Sequence, residues 1–410
     1  MNLRTEALAL LLGLMLAIAI VGAPATLAQT LNVLHTFAGP DGSEPVAGLI
    51  MDRVGNLYGT TSIGGAGYGT VFKLSRVGAS WVLHTLYTFQ GGNDGATPQA
   101  RVVFGPDGTL YGTATAGGSH GGGTVFNLRP PPGACLAAQC PWKETVLYSF
   151  MGGSDGASPQ YGDLAFDAAG NIYGTTSYGG GGCSPYGGCG VVFKLSQTGG
   201  SWTENVLYAF SSSAQGYIPF SGIVLDGVGN LYGTTFQGGT HGLGTVYELT
   251  HLASGWTQTT LHSFGEGGES GGHPYAGLTM DQYGNLYGTT ASLGSVYELQ
   301  PSGGTWTYEV LQNVPPGPYD APTIDASGNL YATASGDFSS FGNVFKLTPG
   351  TGGWTYTDLY DFFNNNNFED GFFPLGAVVL DGHGNIYGTT FQGGDQKCGE
   401  GCGVVWEITP

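Results

Sequence analysis

The sequence predicts an all-β fold, a seven-bladed β-propeller of four-stranded antiparallel blades, and three observations lead to it. The phrase D-x-x-G-N-L-Y-G-T-T recurs seven times along the 410 residues, with neighbouring copies 44 to 62 residues apart. Each copy lies in a unit of short β-rich runs separated by turn residues. No stretch shows the sustained apolar period of a helix. A fixed period of this size is typical of one supersecondary unit copied along the chain. The tyrosines of the phrase are Tyr58, Tyr111, Tyr173, Tyr232, Tyr287, Tyr331 and Tyr387.

The fourth unit shows how one blade is composed. Its β-rich runs lie at 220–226, 231–235, 244–249 and 256–264. A single four-stranded sheet of this size cannot bury both of its faces. Stacking seven such sheets around an axis buries them against one another and leaves only short edges, which is the propeller solution. The competing β-solenoid would have shorter coils, roughly 20–30 residues per turn.

The phase of the repeat predicts how the ring closes. Residues 31–37 match the fourth strand of a unit, as a comparison with 261–264 shows. The last unit stops after its third strand, at 403–408. We therefore expect the N-terminal strand to complete the last blade as its outer strand, because unclosed first and last blades would present raw edges.

Residues 1–28 read as a signal peptide rather than as part of the fold. Arg4 supplies a positive n-region, an apolar run covers 8–21, and Thr26 to Ala28 is a small-residue cleavage site before Gln29. The alternative is a membrane anchor, but the run is short for a spanning helix. We expect a secreted or cell-surface protein with no membrane span after cleavage. Residues 29–410 would form a single propeller domain, and we expect a monomer.

Composition narrows the classes of partner. Glycine accounts for 77 residues, and the formal net charge is −19. So acidic a chain should repel nucleic acid and anionic membranes, which excludes both as partners and leaves metal cations or basic surfaces. We expect no cofactor, with calcium the one ion left open.

Six cysteines fall in three close pairs: Cys135 and Cys140, Cys183 and Cys189, Cys398 and Cys402. An even count in an exported chain favours disulfides. The second and third pairs occupy the same loop in two different units. A zinc site would need four converging ligands, whereas these pairs lie in separate units. We predict three local disulfides that protect surface loops.

Two series of aspartates repeat along the chain. One begins the turn of the recurring phrase (Asp52, Asp167, Asp226, Asp281, Asp325 and Asp381), where a carboxylate accepts backbone N–H bonds. The other lies in the D-G-x-x-P links between units, at Asp41, Asp94, Asp155 and Asp370. The links should surround the mouth of the central channel. These four are therefore either turn residues or an acidic rim that binds a cation or a basic ligand.

The innermost strands should line the channel, and their residues are small. Ten residues before the tyrosine stand Gly48, Gly222, Gly277, Ala321 and Ala377. Arg101 and Asp163 take this position in two neighbouring units, and we predict an ion pair between them because unpaired charges inside a propeller are costly. The pair is either a structural plug or part of a ligand site. His273 lies near the mouth and is a further candidate.

The block G-N-L-Y-G-T-T-x-x-G-G-x-x-x-x-G-T-V-F-x-L resembles the GloVer tandem repeat of bacterial exported proteins of the "choice-of-anchor" type. Residues 56–74 and 230–249 fit it closely, and the similarity covers essentially all of 29–410. The fifth unit departs from it with a shortened loop, and the sixth with Ala332. The resemblance implies a secreted or surface bacterial protein and carries no assigned reaction.

Two functions from different classes remain. The first is a non-catalytic binding or interaction propeller that meets an extracellular glycan or protein at its channel-mouth face, a role that sequence cannot separate from that of a structural envelope component. The second is a propeller enzyme of the lactonase, lyase or glycan-cleaving kind with its site at the channel. The inner strands are mostly Ala, Gly, Val and Leu, which disfavours the enzyme. Fold alone decides neither.

Overall fold

The fold is a closed ring of seven four-stranded antiparallel sheets. The computed structural model describes residues 29–131, 142–183, 187–211, 213–266, 271–336, 340–363, 368–395 and 398–410. Within these ranges there is no α-helix, and 3₁₀ turns occur at Ser213–Gln215 and Phe368–Asp370. The predicted seven-bladed propeller is confirmed.

Each position in a blade has a characteristic strand length. The innermost strands are two residues long: β2 (Ile50–Met51), β6 (Val103–Phe104), β10 (Ala165–Phe166), β14 (Val224–Leu225), β18 (Thr279–Met280), β22 (Thr323–Ile324) and β26 (Val379–Leu380). The second strands hold the repeated tyrosine: β3 (Leu57–Thr61), β7 (Leu110–Ala114), β11 (Ile172–Thr176), β15 (Leu231–Thr235), β19 (Leu286–Thr290), β23 (Leu330–Ala334) and β27 (Ile386–Thr390).

The third and outer strands are longer. The third strands are β4 (Thr70–Val77), β8 (Thr124–Arg129), β12 (Val191–Thr198), β16 (Thr245–Leu252), β20 (Ser295–Ser302), β24 (Asn343–Gly350) and β28 (Val404–Thr409). The outer strands are β5 (Ser80–Thr88), β9 (Lys143–Ser149), β13 (Ser201–Ala209), β17 (Gly255–Ser263), β21 (Thr305–Asn313), β25 (Gly353–Asp361) and β1 (Thr30–Thr36). Blades 1 to 6 follow chain order from β2, and blade 7 consists of β26, β27, β28 and β1.

The ring closes with the N-terminal strand. β1 pairs antiparallel with β28, with Thr30 opposite Thr409 and Thr36 opposite Val404. The hydroxyl of Thr389 in blade 7 also donates to the carbonyl of Ala47 in blade 1, at 3.0 Å. The predicted closure is therefore confirmed, and β1 gives blade 7 its fourth strand.

Aromatic rings fill the spaces between blades. A phenylalanine just after an outer strand meets the third strand of the next blade edge-on, as Phe89 does with Phe126 at a centroid distance of 5.2 Å. The glycine of the L-Y-G-T-T phrase makes room for the ring on the third strand of its own blade, since a Cβ on Gly59 would stand 2.6 Å from Phe72 Cζ. Real Cβ atoms do not approach so closely, so this glycine follows from packing.

The first threonine of the phrase ties six of the seven blades to the next. Its hydroxyl donates to a carbonyl just before the innermost strand of the following blade, as Thr60 does to Ala100 at 3.0 Å and Thr234 does to Ala276 at 2.7 Å. The second threonine bonds within its own blade, as Thr61 does with Thr70 at 2.8 Å. These hydroxyls are buried, and a buried hydroxyl without a partner would destabilise the fold.

Two of the three predicted disulfides are confirmed. Cys183 pairs with Cys189 and Cys398 with Cys402, with Cα–Cα distances of 4.9 and 5.3 Å. The third pair, Cys135 and Cys140, lies outside the described residues. Such bonds are compatible with an oxidising, extracellular setting. Within the described ranges, no helix has the length and apolar character needed to cross a bilayer.

Candidate functional site

The aspartates of the recurring phrase hold their own turns together. Asp52 accepts the N–H groups of Val54 and Asn56 with Oδ1, at 3.0 and 2.9 Å. Its Oδ2 accepts the Asn56 side-chain amide and the Tyr58 hydroxyl, at 2.7 and 3.1 Å. Burial alone would raise the pKa of Asp52, but these four bonds outweigh it and lower the pKa. The other aspartates that bond in this way are Asp167, Asp226, Asp281, Asp325 and Asp381.

The second blade makes the same contact from a different residue. Gly105 stands where the other units have aspartate, and Asp107 supplies the carboxylate instead. Asp107 accepts the N–H of Thr109 at 3.1 Å and the hydroxyl of Tyr111 at 3.2 Å. A carboxylate under the tyrosine hydroxyl is thus present in all seven blades, which marks this contact as part of the fold.

The four link aspartates also bond locally. Each accepts a hydrogen bond from a ring on the preceding outer strand: Asp41 from His35 at 2.8 Å, Asp94 from Tyr87 at 3.0 Å, Asp155 from Tyr148 at 3.1 Å and Asp370 from Tyr360 at 2.8 Å. Each also accepts a backbone N–H of its own link. None of the four lines the channel-mouth cavity described below. The contacts support the turn interpretation, and a role in ligand binding stays a prediction.

The predicted ion pair between Arg101 and Asp163 is confirmed. Arg101 donates to Asp163 Oδ2 through Nε, at 2.7 Å, and through Nη2, while its backbone N–H donates to Oδ1 at 3.2 Å. Both side chains keep about a quarter of their surface exposed. Burial alone would lower the pKa of Arg101, but Asp163 and then Asp320 raise it. The pair therefore lies within reach of a second carboxylate.

Asp320 is that second carboxylate, and it is fixed across two blades. Oδ1 accepts the N–H of Ala321 at 2.8 Å, and Oδ2 accepts the N–H of Ala377 in blade 7 at 2.7 Å. Burial raises the pKa of Asp320, Arg101 lowers it, and Asp163 raises it again. Arg101, Asp163 and Asp320 form what we call the charged triad, which draws on blades 2, 3 and 6.

A cavity of about 330 Å³ opens at the channel mouth above the charged triad. Six of the seven blades contribute to its wall. Besides the triad, it is lined by Glu44 of the first link and by three tyrosines, Tyr161, Tyr275 and Tyr319. Its volume falls in the range of small-molecule sites, roughly 300–1,000 Å³.

The tyrosines belong to an aromatic arc, which we define as Tyr161, Phe220, Phe236, Tyr275 and Tyr319. Tyr275 stacks on Phe220 with a centroid distance of 5.2 Å and an interplanar angle of 4°. It also lies 5.0 Å from Tyr319 and 6.3 Å from Tyr161. Burial raises the pKa of Tyr161 and Tyr275, and the neighbouring Tyr319 raises both further. The phenols therefore stay protonated and can donate hydrogen bonds at neutral pH.

His273 lies behind this arc. Its Nδ1 is 3.0 Å from the carbonyl oxygen of Phe236, and its ring centroid lies 4.8 Å from that of Phe236. Its backbone is in the left-handed region, with φ of 54°. His273 is absent from the cavity wall, so its contacts indicate support of Phe236, and direct ligand binding stays a prediction.

Glu44, Asp320 and the three tyrosines are the residues that sequence reasoning missed. The available signal was the position directly after the link proline, which holds Tyr275 and Tyr319 in two consecutive units. A second signal was spacing. The link proline precedes the repeated tyrosine by 13 residues in six units and by 14 in the third, where Tyr161 lies in the longer segment.

We searched the described part of the chain for side chains placed to bind a metal ion. Among those residues, no three His, Cys, Asp or Glu side chains are placed to hold one ion. The expectation that left calcium open therefore has no support from the geometry. What the cavity offers is hydrogen bonding, charge and aromatic surface.

The fold and the cavity define a β-propeller with a small-molecule-sized site on its axis. The chain belongs to the family described as the Gloeobacter/Verrucomicrobia repeat, which matches residues 23–187 and 184–406. This confirms the resemblance drawn from the repeated block. No curated protein matches the chain.

Solved structures are similar to this chain at low sequence identity. Virginiamycin B lyase from Staphylococcus aureus superposes with a TM-score of 0.58 at 14% identity, over 93% of this chain and 99% of that one. A putative oxidoreductase (glucose dehydrogenase) from Thermus thermophilus gives 0.43 at 15%, over 76% and 96%. A protein of unknown function from Dyadobacter fermentans gives 0.41 at 11%, over 93% and 98%. At such identity the similarity to the lyase shows the fold alone.

Proposed function

We propose that this protein is an exported binding propeller that holds a glycan at the mouth of its channel. The observation that carries the proposal is the meeting of exposed tyrosine rings with fixed carboxylates and a guanidinium in one cavity. Tyr161 and Tyr319 expose 40% and 39% of their surface. Large aromatic side chains left open at the centre of a fold are typical of binding surfaces.

The chemistry of a sugar matches this wall. A pyranose ring presents an apolar C–H face, which packs on an aromatic ring, and a rim of hydroxyl groups that donate and accept hydrogen bonds. The aromatic arc supplies the flat surface, with phenolic hydroxyls at its edge. The charged triad supplies acceptors in Asp163 and Asp320 and remaining donors in Arg101. Bonds to charged groups are the stronger ones, and they would fix the orientation of the ring.

Export is supported by two observations. Residues 1–28 have the composition of a signal peptide, and the two disulfides suit an oxidising compartment. A glycan of the cell surface or its surroundings is therefore the ligand that such a protein meets. Fractionation of the host cells with an antibody to the propeller would test this location.

The test of the binding site is a glycan array probed with residues 29–410, followed by titration calorimetry of any hit. Tyr319→Ala should weaken binding at least tenfold, because it removes an exposed ring from the cavity wall. Tyr283→Ala is the matched control, since Tyr283 is 77% exposed in the turn of the fifth blade, away from the cavity. Equal loss in both variants, or no hit on the array, would contradict the proposal.

The same experiment separates binding from catalysis. A glycan recovered from the complex is examined by mass spectrometry after long incubation. Recovery of the intact ligand supports a binding propeller, whereas a cleaved product would favour the propeller enzyme.

A further inference from the structure

The cavity at the channel mouth carries more negative than positive charge. Three carboxyl groups line it, those of Glu44, Asp163 and Asp320, against the single guanidinium of Arg101. Arg101 is committed to Asp163 through two side-chain donors. In the part of the chain that the structure describes, neither Glu44 nor Asp320 forms an ion pair. The cavity therefore offers two carboxyl groups without a cation of their own.

These two carboxyl groups differ in how firmly they are held. Asp320 is held by backbone N–H groups from Ala321 and Ala377, on two different blades. Glu44 is held less firmly, because its Oε2 lies 3.4 Å from the Ser62 hydroxyl, which also donates to the Glu44 backbone carbonyl at 3.0 Å. Burial raises the pKa of both, so a cation bound beside either carboxylate would offset the cost of burying its charge.

Aromatic rings line the same cavity as these carboxyl groups. Tyr275 and Tyr319 lie 5.0 Å apart with an interplanar angle of 38°, and both line the cavity. The face of an aromatic ring attracts a cation, and recognition of ammonium groups by several rings with nearby acids is the established use of this effect. The wall thus combines the two features that favour an ammonium group over a neutral one.

The third blade has one more residue than the others between its link proline and its repeated tyrosine, and Tyr161 lies in this longer segment. This residue lies in the longer link and takes a φ of 44°, which is unfavourable for a bulky side chain. In the same region the buried hydroxyl of Thr113 has no hydrogen-bond partner, although the equivalent threonines of other blades donate to the next blade. Strain and a lost bond at one place are typical of a functional position.

We propose that the glycan of this cavity is an amino sugar whose unacetylated ammonium group binds between Asp320 and the tyrosine faces. This inference rests on the proposed function, because it names the ligand class of the same site. The sugar ring would pack on the aromatic arc, and its hydroxyl groups would meet Arg101 and Asp163. An N-acetyl group removes the charge and adds bulk, so the acetylated sugar loses the contact with Asp320.

The test compares two ligands that differ only in this group. Oligomers of glucosamine and of N-acetylglucosamine, matched in length, are titrated into residues 29–410 by calorimetry at pH 6. We expect the glucosamine oligomer to bind at least tenfold more tightly. Asp320→Asn should weaken that binding at least tenfold and reduce the preference over the acetylated oligomer.

The control addresses the general attraction between a cationic oligomer and a chain of net charge −19. Asp358→Asn removes the same single charge from β25, outside the cavity wall. It should leave the binding of glucosamine oligomers within twofold of the parent. A loss as large as that of Asp320→Asn would overturn the proposal, because it would show non-specific attraction.

The outcomes separate this inference from the proposed function. Equal affinity for the two oligomers overturns the amino-sugar inference and leaves glycan binding intact. Binding of other glycans on the array without either oligomer does the same. Absence of any glycan binding overturns both. The comparison of ligands on the unaltered protein decides the question even if Asp320→Asn fails to fold.

Discussion

Breaking the ion pair between Arg101 and Asp163 should lower the free energy of unfolding by an amount that depends on which partner is removed. Alanine is a natural replacement at both positions, because five of the seven blades have glycine or alanine there. With Asp163→Ala, Arg101 keeps a carboxylate nearby, since Asp320 acts on it electrostatically. With Arg101→Ala, Asp163 and Asp320 face each other without a cation. The arginine variant should therefore be the less stable of the two.

The magnitudes follow from burial. Breaking a fully buried pair costs about 3–5 kcal/mol, and both side chains here keep about a quarter of their surface exposed. We therefore expect a loss of about 2–3 kcal/mol for Arg101→Ala and about 1–2 kcal/mol for Asp163→Ala. The double variant lacks one side chain of each sign, and we expect it to lose less than the sum of the two, with a coupling of at least about 1 kcal/mol.

Urea unfolding of residues 29–410 at pH 7 measures these differences, because urea is uncharged and leaves the ion pair unscreened. Repeating the series at pH 4 adds a check. Arg101 lowers the pKa of Asp320 in the folded state, so without Arg101 that pKa rises, and the loss of Arg101 should destabilise the fold less as the pH falls. Additive single effects, or a larger loss for Asp163→Ala, would refute the reasoning.

Three further predictions concern stability. Tyr247→Phe should leave the unfolding free energy unchanged or raise it by about 1 kcal/mol, since the buried Tyr247 hydroxyl lacks a hydrogen-bond partner and blade 1 has Phe72 there; a clear loss in urea would contradict this. Burial and neighbouring aspartates raise the pKa of Glu144 and Glu204 to about 7. The folded state therefore binds protons that the unfolded state releases between about pH 4 and 7, and stability should rise as pH falls from 8 to 5. A double Glu→Gln variant at these positions should flatten that rise, and an unchanged profile would contradict the assignment. Asp107→Ala should cost about 1 kcal/mol by thermal unfolding, because the turn of blade 2 loses its only carboxylate; full retention of stability would show that this contact is dispensable.

The sequence predicted the fold well because the repeated residues are those that hold the blades. Each letter of the phrase has a local structural cause: the aspartate closes a turn, the glycine admits a ring, and the first threonine, as at Thr60, reaches the next blade. Such causes act within one unit or between neighbours, so they repeat with the unit. Because these contacts recur from unit to unit, the residues that make them appear in the sequence as a periodic pattern.

The cavity could be predicted only in part, because it is made where the units differ. Arg101 and Asp163 were found since two opposite charges interrupt a row of small residues. Asp320 was missed because it precedes that row by one position and reaches Ala377 across a blade boundary. The aromatic arc joins residues from different units, and no period in the sequence connects them. The fold is determined by the residues that the units share, whereas the cavity is formed by residues that differ from one unit to another.

The pairing of β1 with β28 has a consequence for how the cavity comes into being during synthesis. Six blades can be completed one after another as the chain emerges, but blade 7 needs both β1 and β28. Glu44, which lies between β1 and β2, and Phe391 of blade 7 both line the cavity. The Thr389 hydroxyl of blade 7 donates to the Ala47 carbonyl of blade 1. β1 therefore has no strand partner until β28 has been synthesised, and the wall of the cavity is complete only when these two strands pair.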